Sequence, residues 1–190
     1  MRKLLVAGNS TMPSSVGIFN LPALFTCTPS PWCTKHCYAL KGRFRWSCVK
    51  EACDWRYKQS LKKNFVEKVV DEIKHRPSIK YVWIHISGDF YSKEYIDKWA
   101  EIARNFPEII FRTNTKRVDF LKYMKIKFSK NVVVRESTDP TRKSHNIFPQ
   151  ATIKGTRGSE GFFVCDDDCE KCKFYCWHNP KENVVTSQIR

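Results

Sequence analysis

Four short runs rich in β-branched and aromatic residues punctuate the chain: 15–19 (SVGIF), 81–86 (YVWIHI), 109–112 (IIFR) and 132–135 (VVVR). Each has the length and composition of a buried strand. Between the first two, a helix starting near Asp54 carries Leu61, Phe65, Val66, Val69, Val70 and Ile73 on one face and ends at His75-Arg76-Pro77. A second helix opens on Ser92 as N-cap, turns Tyr95, Ile96, Trp99, Ile102, Ala103 and Phe106 to one side, and stops at Pro107. Val118, Leu121 and Met124 mark a short third helix. Strands separated by helices predict parallel pairing and an α/β fold. After about residue 140 the alternation fades, and the chain becomes polar, glycine-containing and then cysteine-rich. The expectation is one domain over residues 1–190, with a βα core at 14–140 and an irregular, cluster-binding tail at 141–190.

Loops that follow strand carboxyl ends gather on one face of such a fold. Here they are polar: Ser87-Gly88-Asp89 after the second strand, Thr113-Asn114-Thr115-Lys116 after the third and Glu136-Ser137-Thr138-Asp139 after the fourth. Helix capping and turn chemistry account for Ser92 and Thr115. Three polar loops on one face point to a ligand site.

The chain has 190 residues, no fixed-period repeat and no Gly/Ser-rich or Pro-rich linker. Its start holds a basic pair and only four apolar residues before Gly8, too short for a signal-peptide core, and no stretch approaches the roughly 20 apolar residues of a membrane span. The expectation is a cytoplasmic protein with no membrane partner. Thirty-four Lys and Arg against nineteen Asp and Glu give a net charge of +15, which attracts polyanions such as nucleic acid or serves solubility alone. The best local candidate for nucleic-acid contact is Lys41-Gly42-Arg43-Phe44-Arg45-Trp46, where cations alternate with aromatics. The competing account is a loop whose aromatics pack inward.

Nine cysteines fall in two zones: Cys27, Cys33, Cys37, Cys48 and Cys53, then Cys165, Cys169, Cys172 and Cys176. Spacings of three and four residues suit thiolates converging on a metal better than disulfides in an intracellular chain. The terminal run places four soft ligands within twelve residues and resembles iron–sulfur ligation more than the two separated pairs of a structural zinc site, with zinc as the alternative. Asp166, Asp167 and Asp168 read as a solvated turn. In the first zone, Cys27, Cys33 and Cys37 on one loop would hold three irons of a 4Fe–4S cube and leave the fourth open, or Cys48 or Cys53 would close it.

The Cys33-x3-Cys37-Tyr38 segment after the first strand, the Gly-acidic turn at Ser87-Gly88-Asp89 and the Thr-Asn turn after the third strand resemble the radical S-adenosylmethionine (SAM) enzymes. Asn20-Leu21-Pro22, Cys33/Cys37-Tyr38-Ala39, Ser87-Gly88-Asp89-Phe90 and the terminal cysteines are similar to the phage and prokaryotic family called gene product eighty-eight-like, over about residues 15–178. The first resemblance implies a small partial (βα) barrel of parallel strands, radical-SAM-like, with a Cys-rich irregular C-terminal segment. It also implies one or two 4Fe–4S clusters, SAM as a second cofactor, an electron donor as partner, and Ser87, Gly88, Asp89, Asn114 and Arg135 as cofactor-binding residues. Leu40 stands where the radical SAM motif has its third cysteine, so Cys27 would take that role. The functional expectation is an iron–sulfur enzyme acting on an unidentified substrate. The alternatives are a metal-stapled nucleic-acid-binding protein and a non-catalytic redox or sensor protein.

Overall fold

The computed structural model of the chain describes residues 2–186; the remaining residues of the expected domain, 1 and 187–190, lie outside the described residues. Eight strands among these form one sheet: β1 (Val6–Asn9), β2 (Met12–Phe19), β3 (Tyr81–Ile84), β4 (Ile110–Thr115), β5 (Val132–Ser137), β6 (Gln150–Ile153), β7 (Phe163–Val164) and β8 (Val184–Thr186). They lie in the order β1-β2-β3-β4-β5-β6-β8-β7. Only the β1–β2 pair is antiparallel; every other neighbour is parallel.

The four strands legible in the sequence are β2 to β5, each side by side with the next as in a βα barrel. The sheet is open, however, with β1 and β7 at its edges, so the fold is mixed α/β with a mostly parallel eight-stranded sheet and no closed barrel. The segment expected to be an irregular tail instead adds β6, β8 and β7. Their runs of two to four residues are too short to carry a period.

Six helices connect and cover the strands: α1 (Pro31–His36), α2 (Ser47–Ser60), α3 (Phe65–Lys74), α4 (Lys93–Arg104), α5 (Leu121–Lys127) and α6 (Tyr175–His178). The single helix expected from Asp54 is two, α2 and α3, broken at 61–64. At the break, Lys98 of α4 donates its ammonium to the carbonyls of Ser60 at 2.7 Å and Lys62 at 3.0 Å, the latter also accepting from the Phe65 amide at 3.3 Å. The start of α4 is as expected, with Ser92 Oγ accepting from the Tyr95 amide at 3.2 Å.

Strand alternation sorts the core into two faces. Val82, Ile84, Phe111, Val132 and Val134 point toward α3, α4 and α5, around Trp99, whose ring meets Phe19 at 5.2 Å and Phe65 at 5.9 Å. Val16, Ile18, Tyr81, Trp83 and Ile110 point the other way, where Cys169, Cys176 and Trp177 of the C-terminal segment pack on them.

His85 ends β3 in a left-handed conformation, φ 68°, that a non-glycine residue rarely adopts. Its ring is buried against Phe90, with centroids 4.7 Å apart, and Nε2 meets the Tyr95 hydroxyl at 2.8 Å. Burial lowers its pKa to about 3. As pH falls below about 6.5, the unfolded chain protonates this histidine while the folded one does not. Stability is therefore full above that pH and drops by roughly 1.4 kcal/mol per pH unit below it. Urea unfolding between pH 6.5 and 5 is expected to show this slope in the wild type and a flatter one in His85→Gln; equal slopes would assign the pH dependence to other groups.

Candidate functional site

The first thiol group is built where β2 hands over to α1. Ser30 caps α1, its Oγ accepting from the Cys33 amide at 3.0 Å, and Pro31 occupies the first turn. The same hydroxyl donates to Asp139 Oδ2 at 2.6 Å, tying the helix start to the loop after β5. Cys33 thus lies on the first turn of α1, Cys37 just past its end, and Cys27 in the preceding loop. Cys33 and Cys37 lie close enough to share one proton between their sulfurs, which raises the pKa of one thiol and lowers that of the other, Cys37 being the lowered one. Burial pushes Cys27 up to about 11, and the nearby Asp89 and Cys33 charges add to it.

Around these thiols the polar loops of successive strands are joined. Asp89 is buried and accepts from the Phe90 amide at 2.8 Å, the Thr115 hydroxyl at 2.7 Å and the Lys116 amide at 2.8 Å. Burial raises its pKa against these three bonds. The Lys116 ammonium bonds Ser137 Oγ at 2.5 Å, stands 3.8 Å from Asp139 and acts on both Cys27 and Cys33. Arg142 closes the ring by donating to the carbonyls of Lys116 and Thr28. Loops after β2, β3, β4 and β5 therefore meet at the cysteine loop, on the face where the sequence placed a site.

The expected residues divide. Asp89 lies beside the thiols. Ser87 and Gly88 support the turn itself: Ser87 Oγ donates to the Leu21 carbonyl at 2.9 Å, and a Cβ on Gly88, at φ 85°, would lie 2.5 Å from Leu21 Cβ. Asn114 and Arg135 are register partners whose side chains belong to the second sheet face, so they do not line the loop mouth. Arg135 is fully buried and donates to the carbonyls of Glu182 at 3.1 Å and Asn179 at 2.8 Å. Cys48 is exposed on α2, and Cys53 is buried there, its thiol pushed up by burial and drawn back by Arg56. A cleft of about 230 Å³, lined by Pro22, Ala39, Leu40, Phe44, Cys53 and Ser87, opens next to the cysteine loop. Lys116 and Asp139 lie in the polar loops that pointed to a ligand site, though neither was singled out; sequence reasoning missed Ser30 and Arg142, and of these the Ser30-Pro31 pair carried a local signal, that of an N-cap before a first-turn proline.

The second thiol group lies on the other sheet face. The Cys165 amide pairs with the Val185 carbonyl at 2.8 Å and the Cys169 amide with the Thr11 carbonyl at 3.1 Å. Lys173 and Phe174, both left-handed, reverse the chain so that α6 returns Cys176 against the sheet. Burial pushes Cys169 up to about 12, with Cys176 and Cys172 adding to it and Arg112 opposing. Burial also raises Cys165, which feels Cys176 and Arg112 as well. Arg112 Nη1 donates to Cys176 Sγ. Asp168 caps its own turn at the Glu170 and Lys171 amides, 3.0 and 3.1 Å away, as the solvated-turn reading requires.

Both groups offer thiols only, the donor set of soft metals and iron–sulfur clusters. Among the described residues, no three or more His, Cys, Asp or Glu side chains are arranged to hold a metal ion. A tetrahedral four-sulfur zinc site would need sulfurs roughly 3.8 Å apart, from metal–sulfur bonds of about 2.3 Å. A cubane takes one thiolate at each iron corner, so its ligands stand farther apart than those of a single ion.

A family model described as Gene product 88 matches residues 2–171, which takes in every cysteine except Cys172 and Cys176. The Gene 88 proteins of Mycobacterium phage L5 and Mycobacterium phage D29 are each 27% identical to the chain over 150 residues, 70% of this chain. That stretch covers 61% and 60% of their own lengths, so the chain spans about three fifths of these curated relatives. No solved structure matches.

Asp89→Ala removes three hydrogen bonds to a buried carboxylate and is expected to cost about 2–4 kcal/mol, against about 1 kcal/mol for Ser87→Ala, which loses one. Chemical denaturation of both variants checks the ranking; a smaller loss for Asp89→Ala would mean that the carboxylate is not what joins the loops.

Proposed function

The chain belongs to the Gene product 88 family, and we propose that it is an iron–sulfur protein whose Cys27, Cys33 and Cys37 hold a 4Fe–4S cluster with one iron left open, as in an enzyme. The observation that carries this reading is the mutual interaction of three thiols, with no fourth cysteine among them, at the strand carboxyl ends beside Lys116 and an adjacent cleft. A cluster held there supplies one-electron transfer at an iron with a free coordination position.

The protein's own groups prepare the place. The Lys116 ammonium offsets thiolate charge, Asp89 fixes the Lys116 backbone, and Ser30 and Asp139 hold the α1 start on which Cys33 sits. The cleft opens beside the loop, and under the radical SAM reading SAM would be the second cofactor, bound at the open iron. The Ser87-Gly88-Asp89 turn has its polar atoms committed within the fold. The four terminal cysteines hold a second, closed centre, a cluster or a zinc ion. The setting is cytoplasmic, where an electron donor is at hand and thiols stay reduced. No helix among the described residues is long and apolar enough to cross a membrane.

A second reading has its own observation. Trp46 is 58% exposed beside exposed Arg43 and Arg45, whereas Phe44 packs on Tyr38 with ring centroids 5.9 Å apart. One aromatic of the basic segment thus turns inward and one is free to stack on a base.

Anaerobically purified protein is expected to contain iron and acid-labile sulfide and to give a paramagnetic signal on reduction that SAM perturbs. Cys33→Ser should remove that signal and Cys53→Ser should leave it. Zinc alone would sink the cluster reading, and equal loss in Cys53→Ser would close the site and leave a redox or sensor role. For the second reading, DNA or RNA affinity should fall linearly with log salt, with a slope reduced by about one to two charges in the Arg43→Ala/Arg45→Ala double variant. Binding that the double variant leaves unchanged would exclude this segment as the contact.

A further inference from the structure

Two arginines are buried side by side on the sheet face that carries the C-terminal cysteines. Arg112 of β4 is 2% exposed and Arg135 of β5 is 0% exposed. Arg112 stands opposite Val133, two residues along from the Asn114–Arg135 pairing on the same face. Burying a guanidinium costs several kcal/mol unless an anion pairs with it, and two neighbours repel each other besides. Among the described residues neither forms an ion pair with a carboxylate.

The partners they have are neutral or sulfur. Arg112 lies over the ring of Trp83, 4.4 Å from its centroid, and 5.7 Å from that of Trp177. Its Nη1 donates to Cys176 Sγ, and its charge acts on Cys165 and Cys169. Arg135 spends Nε and Nη2 on two backbone carbonyls. Burial first, and then Arg112, lowers its pKa to about 10, with Cys176 and Glu182 opposing. Arg112 Nε, Arg135 Nη1, Trp83 Nε1 and Trp177 Nε1 have no hydrogen-bond partner. A buried site with two cations and four idle N–H donors is built for negative charge, and the groups adjoining it are thiols.

We propose that Arg112 and Arg135 are the built-in counter-charge of a four-thiolate metal centre formed by Cys165, Cys169, Cys172 and Cys176. This rests on the reading of those cysteines as metal ligands. Four thiolates around a zinc ion, or around an oxidised cubane, leave a net formal charge of minus two, which two guanidinium groups neutralise. Each arginine is a positioning residue for the centre: the cations stabilise the thiolate form of the ligands and hold the centre's potential up.

The test uses the full chain in a Cys33→Ser background, which confines tight binding to the terminal group, with zinc as probe and a chelator as competitor. Arg112→Gln and Arg135→Gln are each expected to weaken zinc binding by about 10- to 100-fold, the usual range for groups that support metal ligands. Arg112→Lys, which keeps the charge, should recover most of it. Thermal melts supply the readout that a merely structural role would not move. Without metal, the Gln variants should be as stable as the parent or more so, since an uncompensated charge is gone. With zinc they should be less stable. Gln variants that bind zinc as tightly as the parent, or that lose stability equally with and without it, would overturn the proposal. A parent that takes up no zinc and no iron, with Cys172→Ser behaving identically, would defeat the underlying metal reading instead.

Discussion

A parallel sheet has to be covered on both faces, because its connections place apolar side chains above and below every strand. The βα connections of this chain cover only one. Trp99, Phe65 and the apolar stripes of α3, α4 and α5 seal that side, and the opposite side, with Val16, Ile18, Tyr81, Trp83 and Ile110, would otherwise face water. The C-terminal segment meets the requirement. It extends the sheet through β6, β7 and β8 and, between β7 and β8, lays Cys169, Cys176 and Trp177 across the exposed face. A barrel would have solved the same problem by closing; here the place of a barrel interior is taken by the protein's own cysteine-rich segment.

That solution explains the two buried arginines. In a strand covered on both sides, every second residue points into the second layer whatever its chemistry, and for β4 and β5 those positions include Arg112, Asn114 and Arg135 beside Ile110 and Val133. They are tolerable only if the covering segment brings carbonyls, aromatic faces and thiols to meet them, as the carbonyls of Asn179 and Glu182, the ring of Trp177 and the Cys176 sulfur do. The cover thus meets the polar positions of the sheet as well as its apolar ones.

The other thiol group depends on a different consequence of parallel pairing, the gathering of all strand carboxyl ends at one edge. Four loops distant in sequence are joined there by few side chains: Asp89 to Thr115 and Lys116, Ser30 to Asp139, and Arg142 to Thr28. The cysteine loop is one of the four, so its thiols are held by a frame rather than by a flexible hairpin. Membership of the Gene product 88 family supplies no reaction by name, and the chemistry proposed rests on the thiols and their neighbours.

The sequence alone determined the strands β2 to β5, the capped helix α4 and the thiol-rich character of both cysteine zones, because each is written in local signals: β-branched runs, a serine before a 3.6-residue apolar period, and cysteines three and four residues apart. It also located the polar edge of the sheet. Only the tertiary structure decided which side of the sheet each polar residue serves. Arg135 and Asn114 looked like site residues beside Asp89, since all three lie at strand ends; alternation along the strands sends the first two to the opposite layer. The short strands β6, β7 and β8 exist because neighbours complete their hydrogen bonds, and Lys98 from another helix meets the gap between α2 and α3. Partners from beyond the neighbouring turns leave no trace in a local window, and so the arrangement of this chain's cysteines around its arginines and lysine was settled by the fold.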